Sequence, residues 1–176
     1  MNAQLEARLI AQDQVDAVQR VMESNAQYSW HVSGAQPTPT AASDVLTALP
    51  PNVSITQKVD LGLWDGGDLV AFADVLIGWP SSSTAHIGLL MTERSRHGEG
   101  LGRQMHDAVL DLVSGRTDVQ TLRVSIVDAN SDLAEPFWIR LGYESTGEAA
   151  PYFSGSVEST ARIWARPVET SRMFSN

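Results

Sequence analysis

The chain has 176 residues, of which 43% are hydrophobic and 19% are charged, and it contains no cysteine. This size predicts a single domain over residues 1–176 with a substantial core, and the lack of cysteine excludes a disulfide framework, a thiolate zinc site and a cysteine nucleophile. The formal net charge of −9 argues against nucleic-acid binding. Without a leader-like start or a bilayer-length apolar run, we expect a cytoplasmic protein that does not contact membranes.

The first third of the chain predicts a strand, a helix and a long loop. Residues 5–10 are expected to form a strand, and Asp13 is the predicted N-cap of the helix. The apolar face of this helix comprises Val15, Val18, Val21 and Met22. Residues 24–53 are predicted to be rich in loop, with a short helix at 41–49 that a Pro-Pro pair ends. Long loops of this kind often form lids or binding sites.

The middle of the chain predicts three strands. Residues 59–64 alternate between apolar and other side chains, and residues 65–68, Asp-Gly-Gly-Asp, predict a hairpin turn into a return strand at 69–77. Residues 85–92 are mostly apolar, which predicts a central strand that is buried on both faces.

Glycines at alternate positions precede the clearest helical pattern. Gly98, Gly100 and Gly102 follow the third of these strands. The apolar face of the next helix comprises Leu101, Met105, Ala108, Val109, Leu112 and Val113. A strand, a glycine-rich loop and a helix N-terminus bring backbone N–H groups together and favour negative charge, so this segment predicts a phosphate site. The alternative is a turn that merely caps the helix.

The spacing of these glycines weighs against two common nucleotide motifs. A dinucleotide fingerprint requires Gly-x-Gly-x-x-Gly and an acidic residue at the end of the next strand. Here the glycines alternate, and Asp118 comes before the next strand. A Walker A motif requires Gly-Lys-Ser/Thr, whereas Arg103 follows Gly102. A dinucleotide-dependent reductase is therefore the weakest of the functional hypotheses.

The last part of the chain completes a mixed α/β pattern. Residues 122–126 predict a strand, and Asn130 or Ser131 starts a short helix that ends at 141–142. The two closing strands are predicted at residues 143–147 and 161–165. The element order β-α-α-β-β-β-α-β-α-β-β predicts a mixed sheet with helices on both faces.

Two motifs in this arrangement resemble the GNAT superfamily of N-acetyltransferases. The family signature Gln/Arg-x-x-Gly-x-Gly/Ala is similar to residues 97–102, His-Gly-Glu-Gly-Leu-Gly, although His97 replaces the usual Gln or Arg. An Asn followed by a short helix ending in Phe-Tyr-x-x-x-Gly-Phe is similar to Asn130 and to residues 137–143, Phe-Trp-Ile-Arg-Leu-Gly-Tyr. The resemblance implies an α/β (α+β) fold with a mixed, mostly antiparallel central sheet of about seven strands and helices on both faces.

The resemblance implies acetyl-CoA as co-substrate and no metal. Its pyrophosphate would lie on the N–H groups of residues 98–103, and its pantetheine arm would pair with residues 90–92, where neighbouring strands of the family separate. The alternative to a cofactor contact is a solvated charge on the helix surface for Arg103 and a helix cap for Asn130. The implied cofactor-binding residues are Leu90, Met91, Thr92, His97, Gly98, Glu99, Gly100, Leu101, Gly102, Arg103, Asn130, Phe137 and Trp138.

The implied reaction is direct attack of an amine on the thioester, with a backbone N–H near Leu90 or Met91 holding the oxyanion. An alkylammonium has an ordinary pKa near ~10.4, so a base assists its deprotonation. His86 is the first candidate base, with a structural role as its alternative, and Glu93 and Asp74 are further candidates. Asp74 interrupts an apolar strand, so it either pairs with a charge or faces the substrate amine.

The leaving thiolate is the point at which the chain departs most from the family. The usual general acid is a Tyr four residues before the last motif glycine, and Trp138 occupies that position before Gly142. An indole N–H is not an acid at neutral pH, so either the thiolate, whose thiol pKa is near ~8.5, leaves unprotonated or another group serves. Tyr152 is the candidate, with an inert loop tyrosine as its alternative. A second hypothesis is therefore a non-catalytic acyl-CoA-binding regulatory module.

The acceptor site is expected at the loops 24–53, 65–68 and beyond 147. The aromatic side chains that these loops and their neighbours offer are Tyr28, Trp30, His31, Trp79 and Tyr152, and Asp74 adds a carboxylate. Aromatic rings and carboxylates suit a cationic amine. An amino-acid derivative, a polyamine, an aminoglycoside-like antibiotic and a peptide N-terminus all remain open as acceptors. Because dimers are frequent in the family, a homodimer is also open.

Overall fold

The fold is built on one sheet, seen in a computed structural model that describes residues 4–169. Its seven strands are β1 (Leu5–Leu9), β2 (Lys58–Asp65), β3 (Asp68–Ile77), β4 (Thr84–Thr92), β5 (Thr121–Val127), β6 (Glu144–Ser154) and β7 (Val157–Pro167). They lie in the order β1-β2-β3-β4-β5-β7-β6. All neighbouring strands are antiparallel except the parallel pair β4 and β5. The predicted mixed, mostly antiparallel sheet is confirmed.

Helices cover both faces of the sheet, as predicted. The helices of the described residues are α1 (Val15–Ser24), α2 (Ala26–Ser33), α3 (Ala41–Thr47), α4 (Leu101–Ser114) and α5 (Ser131–Arg140). On one face, α4 buries Met105, Val109 and Val113, spaced four residues apart, in a core cluster that also contains Trp138 of α5. On the other face, α1 and α3 pack on a second cluster around Phe72 of β3.

Residues 24–53 contain one more helix than predicted. The segment folds into α2, which carries Tyr28 and Trp30, before it reaches α3. None of the α2 residues is fully buried and its apolar side chains do not gather on one face, so hydrophobic periodicity gives no signal for this helix. It ends where Gly34 adopts a φ of 72°, the left-handed conformation that favours glycine at a helix C-terminus.

Two further predictions differ in detail. Asp13 does not cap α1, because it lies inside a short 3-10 turn at Gln12–Gln14 and α1 begins without a side-chain cap. The closing strands β6 and β7 are each 11 residues long, against five predicted. Most of β6 is exposed, so its side chains show no alternation that a sequence could reveal.

The strands β4 and β5 pair for only part of their length. They are in register from Thr84 and Thr121 to Ile87 and Val124, after which β4 continues to Thr92 without β5 beside it. The expectation that residues 85–92 are buried on both faces is wrong for the second half of β4, where Gly88 is exposed. The separation leaves backbone groups of residues 88–92 without strand partners on that edge.

The joint between α1 and α2 is tied to the end of β4. Asn25 is buried, and its side-chain amide donates to the carbonyl of Thr92 at 2.8 Å and to that of Val21 at 2.9 Å. The backbone N–H of Arg94 donates to the hydroxyl of Ser24 at 3.1 Å. These contacts fix α2, and with it Tyr28, beside the strand that leads to the glycine loop.

Candidate functional site

The glycine loop borders the first of three adjoining cavities. This glycine-loop cavity has a volume of about 830 Å³ and lies between the end of β4, the start of α4 and α5. Gly98 and Gly100 line it with φ values of 89° and 79°, and a Cβ at either position would meet nothing within 4 Å. Since Gly100 is the N-cap of α4, the first N–H groups of this helix are free to meet an anion here.

Glycine is also required on the inner side of this loop. A Cβ at Gly102 would lie 2.9 Å from the ring atom Cε2 of Phe137, so its absence lets α4 and α5 pack closely. Leu101 is buried in the core, whereas Arg103 is exposed and its guanidinium lies 3.5 Å from the carbonyl of Arg140. The backbone of the loop is thus accessible from the cavity, whereas its inner side packs against the rest of the protein.

Ion pairs of Arg96, which lines the same cavity, fix the start of the glycine loop. Arg96 binds Asp65 of the β2–β3 turn at 2.7 Å and Glu99 at 2.8 Å. The carboxylate of Glu93 accepts the N–H of Ser95 at 2.8 Å. Glu93, an alternative base in the sequence analysis, and Glu99 therefore have structural partners.

His97 takes up a local contact at the mouth of the same cavity. Its Nε2 lies 3.3 Å from the carbonyl oxygen of Thr92, and the side chain is exposed. It lines the cavity together with Leu90, Met91 and Thr92 of β4. The structure therefore brings the predicted phosphate loop and the predicted β4 segment to one cavity.

The second cavity, the strand cleft, lies where β4 and β5 separate. It measures about 230 Å³ and its walls include residues 87–90 of β4, residues 124–127 of β5, Asn130, Phe137 and Trp138. The Asn130 side-chain oxygen lies 3.4 Å from Nδ1 of His31 on α2. The cleft joins the glycine-loop cavity through Leu90 and Phe137, which line both.

Trp138 closes the inner wall of the strand cleft. Trp138 is 9% exposed. Its ring packs edge to face against the rings of Phe137, His106 and Tyr143, at centroid distances of 4.9–6.0 Å. The hydroxyl of Tyr143 lies 2.9 Å from Nε2 of His106. Trp138 is thus part of a buried aromatic cluster, which agrees with a packing role at this position.

The third cavity, the α2–α3 cavity, lies on the other side of β4. It measures about 570 Å³ and is lined by α2, α3, the intervening loop, the middle of β4 and the β6–β7 turn. That turn reaches α2 directly, because Ser156 donates its backbone N–H to the carbonyl of Ser33 at 3.1 Å. Asp44 and Asp74 are the carboxylates among the lining residues.

Asp74 lies at the floor of the α2–α3 cavity. Gly88 is the extra residue of a bulge in the β3–β4 pairing, between Ile87 opposite Val75 and Leu89 opposite Asp74. A Cβ at Gly88 would come within 2.9 Å of Asp74 Oδ2. Asp74 Oδ1 lies 2.5 Å from Nζ of Lys58, whose side chain is 2% exposed. The carboxylate therefore has one oxygen on a buried lysine and the other beside the cavity wall.

Asp60 adds a second carboxyl group to this cluster. It stands opposite Asp74 in the β2–β3 register, and its buried Oδ1 has no hydrogen-bond partner among the described residues. Burial, together with the charge of Asp74, raises the pKa of Asp60 to about 7, although Lys58 opposes the shift. The cluster thus contains two carboxyl groups and one ammonium and can take up a proton near neutral pH. No sequence motif marks Lys58 or Asp60 as a site residue.

His86 lies apart from the three cavities. Its ring meets that of Trp79 edge to face with centroids 5.1 Å apart, and its Nδ1 lies 3.0 Å from the guanidinium of Arg123. Burial, followed by the charge of Arg123, lowers the pKa of His86 to about 3. The structure does not bring His86 together with the glycine loop or with Asp74's cavity, and its surroundings agree with the structural alternative.

Buried neutral histidines predict a fold that weakens in acid. Burial lowers the pKa of His86 to about 3 and that of His106 to about 4, against ~6.5 for an unfolded chain. The unfolded state therefore binds more protons between about pH 6.5 and pH 4, so the free energy of unfolding falls as the pH falls through this range. We expect His106→Gln to flatten this slope in urea unfolding curves.

The variant must be compared with the wild type because Asp60 changes the free energy of unfolding with pH in the opposite direction to the histidines. Its raised pKa makes the folded state bind the extra proton between about pH 4 and 7, which lowers stability as the pH rises. Above pH 7 the wild type and His106→Gln should show parallel stability curves. Equal slopes for both proteins between pH 4 and 6.5 would contradict the prediction.

The remaining predicted residues are placed around α2. The hydroxyl of Tyr152 donates to the carbonyl of Val32 at 2.9 Å, which ties β6 to α2. Trp30 is 51% exposed and is not a lining residue of the three cavities. Tyr28, in contrast, lines all three cavities and lies where they adjoin.

Comparisons with known proteins point to one family. The sequence profile of the acetyltransferase (GNAT) family matches residues 25–143. A comparison with curated protein sequences gives no match. Among solved structures, the chain is similar to an acetyltransferase from Thermus thermophilus, with a TM-score of 0.74 and 21% identity over 95% of this chain and 99% of that one.

Two further solved structures share the fold at lower identity. The ribosomal-protein-S18-alanine N-acetyltransferase from Escherichia coli aligns with a TM-score of 0.69 and 16% identity over 98% of this chain and 99% of that one. NAA60 from Arabidopsis thaliana, in complex with a bisubstrate analogue, aligns with a TM-score of 0.66 and 10% identity over 96% and 100% of the two chains. Within residues 4–169, no helix combines the length and apolar character needed to cross a bilayer.

Proposed function

This chain belongs to the GNAT family of acetyltransferases, and from that premise we propose that it transfers the acetyl group of acetyl-CoA to a primary amine by direct attack in a ternary complex. The observation that carries the proposal is the junction of an open glycine loop, a strand cleft and a cavity with a carboxylate at its floor. Each part supplies one requirement of the reaction: binding of the donor, exposure of the thioester and binding of the amine.

The glycine-loop cavity and the strand cleft fit acetyl-CoA. The backbone N–H groups at the start of α4 would hold the pyrophosphate, because Gly98 and Gly100 leave the approach open. The unpaired edge of residues 88–92 would hydrogen-bond the amides of the pantetheine arm. Asn130 and Phe137 line the same path. Acetyl-CoA supplies the acetyl group as a reactive thioester.

The α2–α3 cavity fits the acceptor amine. Its lining is largely apolar, and Asp74 places a carboxylate at its floor beside β4. An ammonium group would pair with that carboxylate, while the apolar part of the acceptor would contact α2 and α3. The volume of about 570 Å³ suits a small molecule or the first residues of a peptide.

Asp74 would also remove the proton that makes the amine nucleophilic. Its Oδ2 lies beside Gly88 at the cavity floor, where it can meet the amine, and a carboxylate in this position acts as a general base. A backbone N–H on the open edge of β4, near Leu90 or Met91, would hold the oxyanion. We assign the base to Asp74 rather than to His86, because His86 lies outside the cavities.

The alternative function is an acyl-CoA-binding module without catalysis, which Trp138 at the usual acid position favours. Calorimetry with acetyl-CoA tests the donor site, and thiol release over a panel of amines tests the reaction. The panel should contain amino-acid derivatives, polyamines, aminoglycosides and short peptides, with acetylated peptides as a control. We expect thiol release with at least one free amine. Tight binding without release for any amine would favour the module.

A further inference from the structure

The position of Tyr28 gives it access to every part of the proposed site. A donor that lies along the glycine-loop cavity and the strand cleft can meet an acceptor in the α2–α3 cavity only where these cavities adjoin. Within residues 4–169, Tyr28 is the one residue that lines all three. Asn25, one helical turn earlier, fixes this position through its hydrogen bond to Thr92 of β4.

The reaction leaves negative charge on the sulfur of coenzyme A where the three cavities adjoin. Trp138, at the position of the usual acid, is buried among aromatic rings and carries no ionisable proton. The chain has no cysteine, and its single lysine, Lys58, is bound to Asp74. Trp138 therefore cannot protonate the leaving sulfur, and the phenol hydroxyls elsewhere in the chain are the candidates to stabilise it.

The three tyrosines of the chain differ in how far their hydroxyl groups are engaged. Tyr143 is buried and lies within hydrogen-bond distance of His106, and Tyr152 donates to the carbonyl of Val32. No described residue forms a hydrogen bond with the hydroxyl of Tyr28. Tyr28 is thus the tyrosine that has both a free hydroxyl and a place at the junction of the cavities.

We propose that the hydroxyl group of Tyr28 donates a hydrogen bond to the sulfur of coenzyme A as the thiolate leaves. This inference rests on the proposed acetyl transfer. The bond between the amine nitrogen and the acetyl carbon forms, the carbon–sulfur bond breaks, and its electron pair moves to sulfur. Asp74 takes one proton from the ammonium before the attack and releases it to solvent, then takes the second from nitrogen as the amide forms, and the thiolate later takes a proton from solvent. Thioester and amine thus become amide and thiol, while Tyr28 keeps its proton.

The electrostatics of Tyr28 support a hydrogen-bond donor rather than an acid. Burial, and to a lesser extent the neighbouring Tyr152, raises the pKa of Tyr28 to about 12. A thiol has an ordinary pKa near ~8.5, so full transfer of the phenolic proton to the thiolate is uphill. A neutral hydroxyl facing a developing charge in a desolvated site instead gives a strong, charge-assisted hydrogen bond.

The test measures the ionisation of the thiol in bound coenzyme A, which needs no turnover. Titration followed by the ultraviolet absorbance of the thiolate should give a lower thiol pKa for coenzyme A bound to the wild type than for free coenzyme A. In Tyr28→Phe the pKa of the bound thiol should rise by about 1 or more. With an accepted amine, kcat should fall roughly 10- to 100-fold while KM for acetyl-CoA changes little.

Tyr143→Phe is the matched control, because the hydroxyl of Tyr143 lies beside His106 and the residue lines none of the three cavities. It should leave the thiol pKa of bound coenzyme A at the wild-type value. A thiol pKa in the wild-type complex equal to or above that of free coenzyme A would overturn the inference without any variant. Binding of coenzyme A with an unchanged thiol pKa in Tyr28→Phe would overturn it while leaving the proposed function intact. Failure of the wild type to bind coenzyme A would contradict both the inference about Tyr28 and the proposed function.

Discussion

Replacing Gly100 with valine is expected to lower the affinity for coenzyme A by roughly 100-fold or more. Gly100 is the N-cap of α4, faces an open cavity and has a φ of 79°. A valine would place its side chain where we propose that the pyrophosphate lies. It would remove about two charge-assisted N–H bonds, each worth ~1.5–3 kcal/mol. Isothermal calorimetry with coenzyme A measures the loss directly.

Gly147→Val is a matched control for backbone strain. Gly147 also has a positive φ, 82°, and a Cβ there would likewise meet nothing within 4 Å, but it lies in β6 and lines none of the three cavities. Both substitutions force a β-branched residue into the left-handed region at a cost of about 1–2 kcal/mol. Only Gly100→Val should lose binding. Equal affinities in the two variants would show that the pyrophosphate lies elsewhere.

The glycine loop could be predicted because all its determinants are close in sequence. An apolar strand, alternating glycines and an amphipathic helix follow one another within 30 residues, from Thr84 to Val113. Local backbone chemistry fixes such a loop, and the cavity lies at the N-terminus of α4 as expected. The separation of β4 from β5 is expected from the resemblance alone, since no residue pattern in either strand indicates where their pairing stops.

The carboxyl cluster could not be predicted because it depends on two β-bulges. Strict pairing from the turn that joins Asp65 and Asp68 would place Asp60 opposite Ala73. The side chain of Asp60 would then lie on the face of the sheet opposite to that of Asp74. A register shift near Leu63 and Trp64 instead brings Asp60 opposite Asp74. The second bulge puts Gly88 beside Asp74 and opens the cavity floor. A shift of one residue moves every side chain to the opposite face, and nothing local in the sequence marks it.

The position of Tyr28 likewise could not be predicted from the sequence. The sequence places Tyr28 in a loop and in substrate binding, because α2 has no apolar face that periodicity can detect. Its position follows from long-range contacts, chiefly the hydrogen bond of Asn25 to Thr92, 67 residues away. Such contacts bring Tyr28 to the junction of the cavities, and a long-range contact of the same kind places His86 beside Arg123 and outside them.

Asp74→Asn is expected to lower kcat/KM for the acceptor amine by roughly 10²- to 10⁴-fold, the usual range for loss of a general base. The single variant also removes the carboxylate to which the buried ammonium of Lys58 is bound, and leaves Asp60 as the remaining carboxyl group beside it. Breaking a buried ion pair in this way destabilises a protein by about 3–5 kcal/mol. Activity must therefore be separated from folding by a second variant.

The double variant Lys58→Met/Asp74→Asn makes that separation. It removes both charges of the pair, which is often close to neutral for stability, so urea unfolding should give a free energy nearer the wild type than the single variant does. Its turnover should remain as low as that of Asp74→Asn, because the carboxylate facing the amine is still missing. Asp44→Asn, at an exposed carboxylate of the same cavity, should have a much smaller effect. Recovery of turnover together with stability in the double variant would show that Asp74 serves the fold and that the base lies elsewhere.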